Sequence, residues 1–238
     1  MNFKKITKIV AGIIIFLTLP SLLLFGFVYF KYHEDLPHGN MGPEADALAQ
    51  TMLEALDYDA FKKATTIEWT FKKRHHYEWN KKANTCNVYW KDYKVTLDLK
   101  DNSKSKAFVH SFKVDGDLAN DLIKKAIKYY NNDSFWLAAP YKVFDKGTQR
   151  KLVKLDNNKK ALLITYTSGG STPGDSYLWH LDEKGKPTSF QMWVDILPIG
   201  GLEATWNHWT TTDTGVNLPT FHKFLVFGIE ITDIKTAM

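Results

Sequence analysis

Eight histidines and one glycine-rich turn are the places where this sequence could do chemistry. His75, His76 and Glu78 are the densest set of metal-ligand types. Adjacent residues of a strand point to opposite faces, so only His76 and Glu78 can share one, and two ligands do not make a zinc site. His208 and His222 fall in strands that can be neighbours, with His180 nearby in sequence, and hydrogen-bonded structural histidines account for all three. The run Gly169 to Gly174 offers Ser171 as a nucleophile, with His180 and Asp175 to complete a hydrolase set. Pro173, however, stands where a nucleophile elbow requires glycine, and the run joins two strands rather than a strand and a helix. It reads as a rim loop. Asp195, between Val194 and Ile196, shares a face with Trp193 and is the acid to watch for a cavity position, although a solvated sheet face is the simpler account. HExxH, Walker A and post-strand GxGxxG patterns are missing from the sequence. The reading is of a non-enzyme, with no catalytic residue, metal site or cofactor assigned.

The stretch that would position these groups runs from Ala161 to Lys223. Short aromatic and β-branched runs alternate there with Gly, Pro and Asp at turn spacing, as a strand meander requires. Asp182 to Pro187 is a hairpin connection. Tyr177, Trp179 and Leu181 share one face before it. Phe190, Met192, Val194 and Ile196 share one face after it, with Gln191, Trp193 and Asp195 on the other. Strand-like alternation also begins at Ile67 and continues through His75–Asn80, Asn87–Lys91, Tyr93–Leu99 and Lys106–Lys113. Two amphipathic helices are expected. The first opens at Gly42-Pro43 with a stripe through Ala45, Leu48, Ala49, Met52, Leu53 and Leu56. The second is capped at Asp117, lined by Leu118, Leu122, Ile123, Ala126, Ile127 and Tyr130, and stopped by Asn131-Asn132-Asp133, after which Phe135–Phe144 reads as a strand. The fold class is therefore α+β: a curved antiparallel sheet of about ten strands, a half-open barrel, carrying two amphipathic helices.

Residues 9–30 carry no charge and are long enough to cross a hydrocarbon core of about 30 Å as a helix. Lys4, Lys5 and Lys8 precede them; Lys31, Glu34 and Asp35 follow. That lysine asymmetry places the N-terminus in the cytoplasm and the rest across the membrane. The expected organisation is a cytoplasmic tip and transmembrane signal anchor over residues 1–31, a linker over 32–41 and an extracytoplasmic β-rich domain over 42–238. The location is the inner membrane, single-pass, with the domain in the periplasm. The formal net charge of +5 is partly due to the lysines before Gly42, and the remainder is too dispersed for a nucleic-acid footprint. The single Cys86 excludes an intrachain disulfide.

The order of export segment, helix, strands, helix and meander, with Trp179–Pro187 forming a W-x-L-D-x-x-G-x-P hairpin, resembles the LolA/LolB-like superfamily of periplasmic lipoprotein and lipid carriers. The runs FWLAAPYKVFD and TYTSGGSTPGDSYLW also resemble a flavobacterial-type family. The first resemblance implies a half-barrel whose apolar interior, closed by helices, holds acyl chains. On it, a hydrophobic small molecule or lipid is the expected ligand, with Trp179, Trp193, Asp195, Trp206 and Trp209 as the expected lining. Another envelope protein is the further partner considered, and an envelope interaction module with a filled interior is the alternative function. The uncleaved, unlipidated anchor departs from the family and favours a tethered receiver or sensor.

Overall fold

The structure is a computed structural model that describes residues 3–156, 159–169 and 172–238. A long apolar helix, α1 (Phe3–Tyr32), has no buried residue and precedes the folded part. Helices α2 (Pro43–Ala55) and α3 (Tyr58–Lys63) follow. A meander comes next: β1 (Thr66–Phe71), β2 (His75–Asn80), β3 (Thr85–Trp90), β4 (Tyr93–Asp98), β5 (Lys106–Val109) and β6 (Phe112–Val114). Helix α4 (Gly116–Ala138) separates it from a second series. That series comprises β7 (Thr148–Lys154), β8 (Lys160–Tyr166), β9 (Ser176–Leu181), β10 (Pro187–Trp193), β11 (Leu202–Thr205), β12 (His208–Thr211), β13 (Asn217–Phe224) and β14 (Phe227–Ala237).

The described strands number fourteen and form one curved, open antiparallel sheet, in the order β6-β5-β4-β3-β2-β1-β14-β13-β11-β10-β9-β8-β7, with β12 on β13. The expected fold class is the one found, with more strands than the sequence suggests. Alternation works as anticipated in the first series: Ile67, Trp69, Phe71, Tyr77, Trp79, Val88, Val95 and Leu97 are buried and their neighbours are not. The joint between the two series is β14. It pairs with β1 from Thr66–Ala237 to Phe71–Ile231, and with β13 from Phe221–Glu230 to Phe224–Phe227.

Helices α2 and α4 pack on one face of this sheet, α2 against β7 and β8 and α4 against β4, β5 and β13. Their apolar stripes bury Ala49, Met52 and Leu53 from α2, and Leu122, Ala126 and Leu137 from α4. Two expectations for α4 are corrected. Its cap is Asp115 rather than Asp117, and Asn131-Asn132-Asp133 does not stop it. The helix continues because Tyr130, Asp133, Ser134, Leu137 and Ala138 keep helical spacing toward the core, and Asp133 finds buried partners there. Phe135–Phe144 is accordingly no strand: it closes α4 and passes into a 3-10 turn, Ala139–Lys142, with Pro140 in its first positions.

The stretch after α1 is pinned to the sheet. Glu34 N donates to Gly200 O at 3.0 Å, Trp193 Nε1 donates to Glu34 O at 2.7 Å, and Gln191 Nε2 donates to Glu34 Oε2 at 2.7 Å. Asn40 then pairs with Leu152 of the edge strand β7, at 2.9 and 2.8 Å. An edge strand left bare is a template for aggregation, and this short strap covers part of it.

Candidate ligand pocket

The five residues expected to line one cavity are not brought together. Trp179 and Trp206 are fully buried on the helix-covered face, edge-on to each other at 5.0 Å, with Phe190 5.0 Å from Trp179. Phe135 and Trp136 of α4 close over them; Trp136 stacks on Trp206 at 6.3 Å and Phe135 lies 4.4 Å from Tyr177. This half of the face is packed core. Trp193 is on the opposite face. It packs on a small cluster of Val153, Ala161, Leu163 and Leu178 and holds the strap through Glu34. That cluster explains why β8 and β9 are apolar on both faces without a cavity on the second. Asp195 lies beyond the end of β10, exposed in a loop, where its backbone N–H donates to Asp175 Oδ1 at 3.2 Å. Trp209 is half-buried; its Nε1 donates to Pro187 O at 3.2 Å and the Lys186 ammonium sits 4.9 Å from its ring centre.

The chemistry-bearing residues have structural partners. His75 Nδ1 and Tyr77 OH meet the buried Asp133 carboxylate at 2.7 and 2.6 Å, and the His75 ring stacks on Tyr129 at 3.9 Å. Burial and the Asp133 charge push the Tyr77 phenol upward. His76 bonds Thr70 at 2.9 Å, while Glu78 accepts from Asn87 and Tyr89. Those two bonds hold the Glu78 carboxyl down against the upward effect of burial, which is the largest single cause. His180 meets Gln191 at 3.2 Å, and Asp175 is bonded by Thr172 and Tyr177. Ser171 lies outside the described residues. Among the described residues no three His, Cys, Asp or Glu side chains are grouped to hold a metal ion.

Space exists at the other end of α4. A cavity of about 660 Å³ lies between α3, α4 and the C-terminal ends of β2 and β4. Phe61, Trp79, Leu97, Leu99, Ile127 and Tyr130 supply its apolar wall. A second cavity of about 940 Å³ continues along α4, sharing Asn102 and Ile127 with the first and passing Lys104, Lys106, Lys113 and Lys124. Two ammonium groups reach into the first. Lys142 is half-buried and sits 5.3 Å from the Trp79 ring centre. No carboxylate lies within ion-pair distance of it among the described residues. Burial lowers its pKa, opposed by the Asp145 charge. Lys81 donates to Phe61 O and lies 3.9 Å from the Phe61 ring centre; burial pulls it down to about 8. The arrangement is a mixed trough, in which the apolar wall is joined by Lys81, Lys142 and Asp145 and by the amides of Asn84, Asn102 and Asn131. Sequence reasoning did not find it, because it is assembled from turns and helix ends far apart in the chain. The signal available was Trp79 and Leu97 sharing inward parity two strands apart.

No protein-family model and no curated protein matches this sequence. Among solved structures the chain is similar to a DUF1329 family protein from Desulfovibrio piger, with a TM-score of 0.41 and 8% identity over 82% of this chain and 93% of that one. A likeness of that degree decides nothing about ligand or activity, which rest on the pocket.

Proposed function

We propose that this protein is a membrane-anchored extracytoplasmic carrier or sensor that holds a hydrophobic, acyl-type ligand along α4. The observation that carries the reading is the cavity of about 660 Å³ whose apolar wall is Phe61, Trp79, Leu97, Leu99, Ile127 and Tyr130, and which continues along α4 into the second cavity. The ligand's polar end is an acid group set against Lys142. Lys81 and Lys142 bring two ammonium groups to the trough and Asp145 one carboxylate, so an acid group there meets an excess of positive charge. The anchor is residues 9–30, the N-terminus is cytoplasmic, and the domain lies in the periplasm against the inner membrane. The packing around Trp206 favours, as the second reading, an envelope interaction module without ligand.

The test is photo-labelling of the full chain in membranes with a diazirine fatty acid and with the matching fatty alcohol. Cross-links should map to residues 97–102 and 127–131, and the acid should label more strongly than the alcohol. Lys142→Met should erase that preference while leaving alcohol labelling unchanged. Labelling confined to α1 would sink the carrier reading and leave the interaction module.

A further inference from the structure

The exposed apolar side chains of the folded part are gathered on one rim of the sheet. Phe112 is 77% exposed, Ile196 73%, Val226 86% and Phe227 61%. The strand registers place them along the same rim. Phe112 pairs with Val109, Val109 with Tyr93, Tyr93 with Trp90, and Tyr89 with His76. His75 pairs with Phe71, Phe71 with Ile231, and Phe224 with both Phe227 and Ala204. Leu202 pairs with Met192, so the loop over residues 194–201 joins the same rim. Among the described residues, the other exposed large apolar side chains between residues 42 and 237 are Leu225 in the same rim's β13–β14 turn, Leu118 and Phe144, the last beneath the Arg150 guanidinium at 4.3 Å.

Turn chemistry on this rim is mixed. Four of its hairpins place Lys72, Lys73, Lys91, His110, Ser111 and Leu225 at φ between 46° and 72°, while its β8–β9 and 194–201 loops use Gly169, Gly174 and Gly201. On the far rim the hairpins use Asn84, Gly185 and Gly215 at positive φ. Those are the residues such turns favour on steric grounds. Keeping lysines and a leucine in left-handed backbone has a steric cost, and what it retains is side chains that project from the tips.

The anchor arrives at this rim. Val28 and Tyr29, in the last turn of α1, pack against the core, and Tyr29 stacks on His33 at 4.4 Å. His33 Nδ1 accepts from Gly200 N at 3.0 Å in the rim loop that carries Ile196. We infer that this rim rests on the membrane crossed by α1. Phe112, Ile196, Val226 and Phe227 enter the boundary between headgroups and acyl chains, and Lys72, Arg74 and Lys91 lie among anionic headgroups. Lys73 is paired with Glu230 at 2.9 Å, Asp92 lies 3.8 Å from His110, and Asp195 is exposed nearby, so the apolar tips rather than net charge carry the contact. The inference rests on the anchor reading of α1.

The full chain in phosphatidylethanolamine–phosphatidylglycerol vesicles tests this with single spin labels at Ile196→Cys and Val226→Cys. Ile14→Cys in α1 and Lys184→Cys on a far-rim turn serve as references. All four positions are exposed and native Cys86 is fully buried, so folding and labelling are undisturbed. Labels at 196 and 226 should collide more with oxygen than with a water-soluble nickel chelate, as at 14, and the label at 184 should show the reverse. Labels at 196 and 226 behaving like the one at 184 would overturn the rim contact while leaving the anchor intact. Shielding from both quenchers would mean protein covers the rim, which also overturns it. A water-exposed label at 14 would remove the anchor and the rim contact together.

Discussion

Asp133 reads as a helix terminator and serves as a helix tie. Its carboxylate is 2% exposed and takes the Tyr77 hydroxyl, the His75 ring and the Asn132 amide. Asp133→Ala would leave the buried Tyr77 hydroxyl and the partly buried His75 ring without this partner, a loss of about 3 kcal/mol that a lowered urea midpoint would register. Asp133→Asn keeps an acceptor and should cost less. His222 makes a second residue-level prediction. Both ring nitrogens lie 2.8 Å from backbone carbonyls, of Thr205 and Trp136; burial holds its pKa down at about 4 although both carbonyls favour the charged ring, so at neutral pH the ring has one N–H and donates to one of them. The unfolded ring titrates near 6.5, so the unfolded chain binds more protons between that value and 4. The stabilisation is thus complete above about pH 6.5 and is lost as pH falls toward 4, on the order of 3 kcal/mol in all. Unfolding free energy measured at pH 7 and pH 4.5 should fall more steeply in the native chain than in His222→Gln. The sequence shows parity along each strand, which is why Trp179 and Phe190 are inward together. It does not show which face is the core where β8 and β9 are apolar on both, and Trp193 falls on the side that parity alone leaves open.

Local elements were the legible part of this chain, and the contacts between them were not. The Asp182–Pro187 hairpin is written in one short run: Gly185 sits at φ +86°, and a Cβ there would come within 2.7 Å of Thr51. Helix α2 follows its stripe. By contrast, the β1–β14 pairing joins the two ends of the domain, and no local pattern specifies it. The strap is a further case. Residues 33–41 read as a polar spacer because their composition is that of one, whereas their docking uses backbone groups at Glu34, Gly200, Asn40 and Leu152 that no side-chain pattern reveals. Trp193 is the side chain that fastens it, and Gly201 lets it approach: φ is +81°, and a Cβ would stand 2.6 Å from Glu34 Cβ. Trp193→Ala and Gly201→Ala should each make residues 33–41 several-fold more sensitive to protease without a comparable change in the rest of the domain. Equal protection in both variants would mean that the Asn40–Leu152 pairing alone holds the strap.

At the scale of the whole molecule the question is whether α1 remains attached. The uncharged stretch over residues 9–30 makes a helix of about 33 Å, enough for the hydrocarbon core. A removed signal sequence would leave His33 and Glu34 as a loose new terminus. Yet those residues are bonded to Gly200, Gln191 and Trp193, and Val28 and Tyr29 before them touch the core. A chain that invests contacts on both sides of the end of α1 gains from keeping the helix and from fixing the domain's orientation beside it. Protease added to spheroplasts should therefore digest the domain over residues 42–238 while the intact N-terminus stays in the membrane fraction. Lys4, Lys5 and Lys8 all replaced by Glu should weaken that protection by disturbing the orientation. Recovery of a soluble mature form beginning beyond Phe30 would overturn the anchor. It would also leave the contacts of Val28 and Tyr29 without a role in the finished protein.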